Sequence, residues 1–213
     1  MKASEYSPKT LGSSSDIDFD ISNQLERTAC SSSSKSEQIL PVSKETASKT
    51  AKHSDLISQS PIVEQLKLQP MTKSDLDQVV AIDAKAHTFP YLRADFERVL
   101  QEKFVTRCAW LEDKIIAYTI GRPLKDFWHL CNIAVSPDKQ RLGIGRFMLH
   151  DTRQLAKTHG LNLIQLEVRP SNSGALRLYR RLGFYNTGEW PDLYETENDQ
   201  RENGLIMKLF FIK

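Results

Sequence analysis

A short glycine-containing segment, Gln140–Arg146, has the residue types that bind a phosphate group. It follows an apolar run, Leu130–Val135, and a turn at Ser136-Pro137-Asp138, and it opens a helical pattern that extends to about His159. Glycines let the backbone approach a ligand closely, and the free N–H groups of a first helical turn point at it. The segment predicts an anion site that suits a pyrophosphate, with a tight structural connection as the alternative. It is neither a P-loop nor a dinucleotide fingerprint.

A carboxylate and a phenol, Glu167 and Tyr179, form a second reactive group downstream. Glu167 lies in an apolar strand pattern, where a carboxylate is costly unless it has a partner or a chemical role. A salt bridge with Arg169, or a side chain that faces outward, is the alternative. Tyr179 lies near the end of a short predicted helix, 172–182, that follows the same strand. The two side chains can therefore reach one pocket as a base and an acid, unless Tyr179 is a core tyrosine with a satisfied hydroxyl.

Both groups resemble the GNAT N-acetyltransferases. Gln140-x-x-Gly143-x-Gly145 is similar to the acetyl-CoA pyrophosphate loop of that family. The segment 166–172, with Ala175-Leu176-x-Leu178-Tyr179-x-x-Leu182-Gly183-Phe184, resembles one subfamily. That subfamily is the bacterial ribosomal-protein-alanine N-acetyltransferases, which acetylate the N-terminal alanine of a small-subunit ribosomal protein. The resemblance extends over about residues 66 to 210.

The predicted fold is α/β (α+β), with a mixed, mostly antiparallel central sheet and helices on both faces, as the resemblance implies. Apolar periodicity along the chain predicts the element order βααβββαβαββ. Strand 127–135 precedes the glycine loop, helix 143–158 follows it, and strand 162–168 carries Glu167. A long polar loop is expected from Asp192 to Asn203.

The resemblance implies a role for each candidate site residue. Glu167 is the proton acceptor, and Tyr179 is the proton donor that protonates the departing thiolate after direct attack of an amine on the thioester. Asn172 caps its helix, binds the pantetheine chain, or does both. Acetyl-CoA is the expected co-substrate, with no metal ion. The backbone of the expected acetyl-CoA site comprises Ile133, Ala134, Val135, Arg141, Leu142, Gly143, Ile144, Gly145 and Arg146, and the acceptor site comprises Pro90, Tyr91 and Tyr194.

The acceptor segments depart from the subfamily pattern. Pro90-Tyr91 stands where the subfamily usually has Pro-Trp, and only Tyr194 of Trp190–Glu195 matches a basic residue followed by Tyr-Tyr-Pro. A second hypothesis is therefore a GNAT acetyltransferase for another acceptor, namely a protein lysine, other protein N-termini or a small amine. A third is a binding-only member of the family, against which the presence of both Glu167 and Tyr179 argues.

Composition indicates one domain and an N-terminal tail in a chain of 213 residues. Residues 1–60 contain 20 Ser or Thr and only two aromatic residues, Tyr6 and Phe19. Such a segment buries too little apolar surface to offset the entropy of ordering. We therefore expect a disordered tail at 1–62 and an acetyltransferase domain at 63–213.

Charge and cysteine usage favour a cytoplasmic protein. The net charge of +2 is no footprint for direct nucleic-acid binding. No apolar run has the length of a membrane span or of a secretory signal. The three cysteines have neither disulfide nor zinc spacing, which fits a reducing compartment. We expect a monomer, and the resemblance implies that its partner is the N-terminus of a ribosomal protein.

Overall fold

The structure is a computed structural model that describes residues 60–102, 104–198 and 200–212. The predicted tail therefore lies outside the described residues, apart from Ser60, Pro61 and Ile62. A one-turn helix, α1 (Pro61–Glu64), crosses the predicted boundary between tail and domain.

The described elements follow α1 in the predicted order βααβββαβαββ. None of the helices in this part of the chain is long and apolar enough to cross a membrane. The remaining helices are α2 (Leu76–Ala86), α3 (Arg93–Gln101), α4 (Ile144–Thr158) and α5 (Ser173–Arg181). The strands are β1 (Lys67–Gln69), β2 (Val105–Leu111), β3 (Lys114–Pro123), β4 (Trp128–Val135), β5 (Leu163–Val168), β6 (Tyr185–Glu195) and β7 (Arg201–Phe210).

The strands form one seven-stranded sheet in the order β1-β2-β3-β4-β5-β7-β6. Every neighbouring pair is antiparallel except β4 and β5, which are parallel. The parallel pair is joined through α4, a crossover helix of the kind that parallel strands require. The sheet therefore has one parallel joint near its centre.

Helices cover both faces of the sheet, as predicted. Successive strand residues point to opposite faces, so Tyr118 packs with Val79 of α2 and Phe96 of α3, whereas Ala117 packs with Met148 of α4. α5 packs on the same face as α4, in a cluster that includes Tyr179. We call these the α2/α3 face and the α4/α5 face.

Local sequence explains where the helices near the site begin. The Asp75 carboxylate accepts from the backbone N–H of Thr72 at 2.7 Å, which starts a 3-10 turn that leads into α2. The Asn172 side-chain oxygen accepts from the backbone N–H of Ala175 at 3.0 Å and so caps α5. This capping role of Asn172 is the one that its residue type predicts.

The prediction of a long loop from Asp192 to Asn203 is wrong. β6 continues to Glu195 and pairs with β7 through Tyr194↔Glu202 and Glu195↔Arg201, so only residues 196–200 connect the two strands. A register shift between Trp190 and Tyr194 accommodates Pro191. β6 is an edge strand, where proline and polar side chains are tolerated because one side of the ladder is unpaired. The polar composition of this edge strand is therefore similar to that of a loop, which explains the wrong prediction.

Candidate active site

A gap opens in the sheet between β4 and β5. The two strands pair at Trp128↔Ile164 and His129↔Gln165, and at no later position in the described chain. The opposite edge of β4 stays paired with β3 up to Val135. The predicted carrier residues 133–135 therefore present one backbone edge to the gap, and amide groups on such an edge can bind an amide-containing chain.

A β-bulge marks the place where β4 leaves β5. Ile120 pairs with Asn132 and Gly121 pairs with Leu130, so Cys131 is the extra residue. Bulges bend a strand and re-aim its groups. The bend directs β4 away from β5 beyond His129.

The glycine loop lies between β4 and α4, as the sequence predicts. Arg141 and Gly143 have left-handed backbone, with φ of 64° and 85°. Gly143 is the N-cap of α4 without a side-chain hydrogen bond, and the first turn has no acidic residue. Gln140 Nε2 donates to the Val135 carbonyl oxygen at 3.2 Å and joins the loop to β4. The start of α4 can therefore receive an anion.

Two tight contacts hold this loop in place. A side chain added at Gly145 would bring its Cβ to 3.1 Å from Leu178 Cδ2 of α5, so the glycine allows α4 and α5 to pack closely. Val63 of α1 is buried with Ile144, the first residue of α4. Both packing contacts restrict the position of the loop from outside the anion site.

Glu167 is a buried carboxylate with two partners. Its side chain is 5% exposed, and His129 Nε2 donates to Oε2 at 2.6 Å. Gln165 Nε2 donates to Oε1 at 3.0 Å. Burial alone raises the pKa of this carboxyl, but the charge and hydrogen bond of His129 outweigh it and the pKa lies below its usual value. Glu167 is therefore ionised at neutral pH, and Arg169 is not its partner.

His129 is a site residue that the sequence analysis missed. Its ring is fully buried, and Cys131 Sγ lies 3.6 Å from Nδ1. Burial opposes the charged imidazolium, yet Cys131 and Glu167 raise the pKa of His129 to about 10. His129 and Glu167 thus form a buried ion pair at neutral pH. A single histidine within an apolar strand pattern was the only indication in the sequence of a functional residue at position 129. Its partner could not be identified, because which residue of β5 lies opposite His129 depends on how the two strands pair.

The ion pair predicts a pH-dependent free energy of unfolding. The pKa of His129 is about 10 in the folded protein against 6.5 for an unperturbed histidine. The folded state therefore binds this proton more tightly, and the stabilisation is complete below pH 6.5 and is lost as the pH rises to about 10. Urea unfolding across this window should show that loss in the native protein and a smaller loss in His129→Asn. Equal slopes in both proteins would contradict the ion pair.

Tyr179 lies on α5 with its ring packed and its hydroxyl unused. The residue is 6% exposed, and its ring centroid lies 5.5 Å from that of Phe184. Burial raises the pKa of the phenol, which keeps it protonated. In residues 60–102, 104–198 and 200–212, no side-chain hydrogen bond contributes to this shift, which burial alone causes.

Glu167 and Tyr179 lie on opposite faces of the sheet. Leu166 and Val168 pack with Tyr179 on the α4/α5 face. Alternation directs Glu167 to the other face, where Cys131, the neighbour of His129, packs against the α2/α3 cluster. A group in the gap would therefore have the carboxylate on one side and the phenol on the other.

A buried carboxylate holds the turn that contains two predicted acceptor-site residues, Pro90 and Tyr91. We call this turn the first predicted wall of the acceptor site. The Tyr91 backbone N–H donates to Asp83 Oδ2 at 2.6 Å, and His87 Nδ1 lies 2.5 Å from Asp83 Oδ1. Tyr118 also donates to Asp83, which is fully buried. The Phe89-Pro90-Tyr91 turn is thereby attached to α2.

The second predicted wall residue, Tyr194, lies on β6. Its ring centroid is 4.4 Å from the guanidinium carbon of Arg169, and the Phe89 ring lies 4.7 Å from the same atom. Arg169 therefore brings Tyr194 together with the turn that contains Pro90 and Tyr91. Over the described ranges, no three His, Cys, Asp or Glu side chains are grouped to hold a metal ion.

Comparison with known proteins identifies the family to which the chain is similar. Residues 76–184 match the model of the acetyltransferase (GNAT) family. The chain is 33% identical over 142 residues to the ribosomal protein bS18-alanine N-acetyltransferase of Escherichia coli K12. The match covers 67% of this chain and 95% of that protein.

Solved structures give the same result for the fold. The crystal structure of the Escherichia coli ribosomal-protein alanine N-acetyltransferase matches with a TM-score of 0.64 and 31% identity, over 70% of this chain and 95% of that one. A GNAT-family acetyltransferase from Elizabethkingia anophelis, solved with acetyl-CoA bound, matches with a TM-score of 0.57 and 18% identity. It covers 70% of this chain and 99% of its own.

Proposed function

This chain belongs to the GNAT family of acetyltransferases, and from that premise we propose that it acetylates the N-terminal alanine of a small-subunit ribosomal protein, with acetyl-CoA as donor. One observation carries the chemistry. Glu167, held by His129, lies beside the gap between β4 and β5, and Tyr179 packs on the opposite face of the same strand, β5. The choice of acceptor is supported by the similarity to the relative in Escherichia coli, 95% of which the match covers.

Acetyl-CoA would lie along the gap. Its pantetheine amides would pair with the free backbone edge of Ile133–Val135, and its pyrophosphate would lie at Arg141–Arg146, where the dipole of α4 and two arginines favour an anion. The side-chain oxygen of Asn172 caps α5, which leaves its NH2 group for the pantetheine chain. The resemblance to the family supports each of these contacts.

The acceptor amine would attack the thioester carbonyl directly from the α2/α3 face. Its α-ammonium has a pKa of roughly 7.7–8.0, so losing a proton near neutral pH is a mild step. The ionised Glu167 would accept this proton through a water molecule. Backbone N–H groups at the bend of β4 would stabilise the oxyanion. As the carbon–sulfur bond breaks, Tyr179 would donate its proton to the departing thiolate and later regain one from solvent.

The acceptor groove would lie between the Phe89-Pro90-Tyr91 turn and Tyr194. The aromatic rings of Phe89, Tyr91 and Tyr194 would contribute apolar surface to this groove, which suits a small uncharged first residue such as alanine. The buried attachment of Tyr91 to Asp83 would keep this wall in place during turnover.

A competition assay tests the acceptor. The protein is incubated with acetyl-CoA and two peptides, one with a free N-terminal alanine and one with a blocked N-terminus and internal lysines, and the products are read by mass spectrometry. We expect acetylation of the alanine amine alone. Acetylation of lysine alone would support the second hypothesis, and acetyl-CoA binding without any product would indicate a small amine or a binding-only role.

A further inference from the structure

Arg169 lies between two aromatic rings that come from distant parts of the chain. Its guanidinium carbon is 4.7 Å from the centroid of Phe89 and 4.4 Å from that of Tyr194. Phe89 belongs to the turn after α2, and Tyr194 belongs to β6. Cations and planar guanidinium groups bind favourably over aromatic faces. One side chain thus contacts both walls of the acceptor groove.

Hydrogen bonds fix the plane of this guanidinium. Arg169 Nη1 donates to the Glu195 carbonyl oxygen at 2.5 Å and to Glu202 Oε1 at 3.1 Å. Ser171 Oγ donates to the same Glu202 oxygen at 2.9 Å. Arg169 and Glu202 are about four-fifths buried, with side-chain exposures of 22% and 21%. Because Glu202 already balances its charge, Arg169 is suited to holding protein groups and poorly suited to binding a substrate carboxylate.

The position of Arg169 in the chain links this cluster to the chemistry. Arg169 follows Val168, the last residue of β5, and lies two residues after Glu167. The backbone that positions the base therefore also positions the side chain that joins the walls. A shift of Arg169 would change where the walls lie relative to Glu167.

From these contacts we infer that Arg169 is a positioning residue that joins the two walls of the acceptor groove, so that it controls binding of the acceptor peptide and leaves binding of acetyl-CoA unchanged. The inference rests on the proposed function for the identity of the groove. It assigns no chemical step to Arg169. Its effect passes through Phe89 and Tyr194.

The Arg169→Lys substitution separates the effect of stacking by the guanidinium from the effect of its positive charge. Arg169→Lys keeps a positive charge near Glu202 but removes the planar group, because an ammonium cannot stack on two rings at once. We expect the KM for the acceptor peptide to rise about 10-fold, in line with the loss of two cation–π contacts. The kcat at saturating peptide and the Kd for acetyl-CoA should stay within about two-fold of their native values, because the carrier site is untouched.

The chain offers a matched control in Arg153, whose guanidinium carbon lies 4.9 Å from the Phe211 ring, in a stack of the same type on α4. Arg153→Lys should leave the peptide KM unchanged. The inference is overturned if Arg169→Lys lowers kcat with no change in the peptide KM, if it weakens acetyl-CoA binding equally, or if Arg153→Lys raises the peptide KM as much.

Hydrogen exchange tests the same inference without any acceptor. In Arg169→Lys, the backbone N–H groups of both segments, residues 88–92 without Pro90 and residues 193–196, should exchange faster than in the native protein, whereas in Arg153→Lys they should not. Exchange that increases in neither segment, or in only one, overturns the joining role. If the native protein acetylates no peptide, the proposed function fails, and the exchange result alone decides the role of Arg169.

Discussion

Replacing Glu167 with Gln lowers kcat by about 10²–10⁴-fold, the range that a positioned general base contributes. The amide keeps the size of the carboxylate but accepts a proton poorly at neutral pH. The buried pair with His129 is broken as well, since His129 loses its anionic partner. Steady-state kinetics with the acceptor identified by the peptide assay measure the loss, and the Kd for acetyl-CoA should remain within about two-fold.

Two controls make this expectation specific. Glu112→Gln changes an exposed carboxylate in the β2–β3 turn and should leave kcat unchanged. A melting curve shows how much of Glu167→Gln remains folded, because loss of one member of a buried ion pair is destabilising. A folded Glu167→Gln protein with native kcat would exclude Glu167 as the proton acceptor.

Replacing Tyr179 with Phe lowers kcat by about 10²-fold or more, because the thiolate then leaves without a proton donor. The change should cost almost no stability, since the ring stays packed against Phe184 and no hydrogen bond from the hydroxyl is lost.

The Tyr118→Phe substitution should affect stability instead. It removes a donor to the buried Asp83 and should destabilise the fold by about 1–3 kcal/mol.

The leaving group provides a second test of Tyr179. An acetyl thioester of a more acidic thiol needs less help from a proton donor, so the difference in kcat between native protein and Tyr179→Phe should shrink with that donor. A difference that stays the same for both donors would show that the hydroxyl acts in some other way. Undiminished kcat with acetyl-CoA would remove Tyr179 from the reaction altogether.

Local patterns in the sequence were enough to predict the position of the glycine loop, the helix cap at Asn172 and the order of the helices and strands. Each of these depends on residues close together in the chain, such as a glycine at the start of α4. The His129–Glu167 pair could not be predicted in this way. Its members are 38 residues apart and meet only because β4 and β5 are parallel in one particular register.

The extension of β6 to Glu195 was not predicted, for a related reason. Polar residues and Pro191 suggested a loop, whereas β7 supplies hydrogen bonds that extend β6 to Glu195. From the sequence alone, Glu167 is the evident partner for Arg169, because the two residues are close in the chain. In the folded protein Arg169 reaches Glu202 and two rings, none of which is close to it in sequence.

The short joint between β4 and β5 has a mechanical consequence. Four strands lie on one side of it and three on the other, and within the described residues two backbone pairs connect these two halves of the sheet. The His129–Glu167 contact is a side-chain bridge across the same seam. The His129–Glu167 contact therefore helps to hold the two halves of the sheet together. A variant that weakens it should let the two halves open or unfold more independently of each other, so loss of activity and loss of cooperative unfolding should coincide.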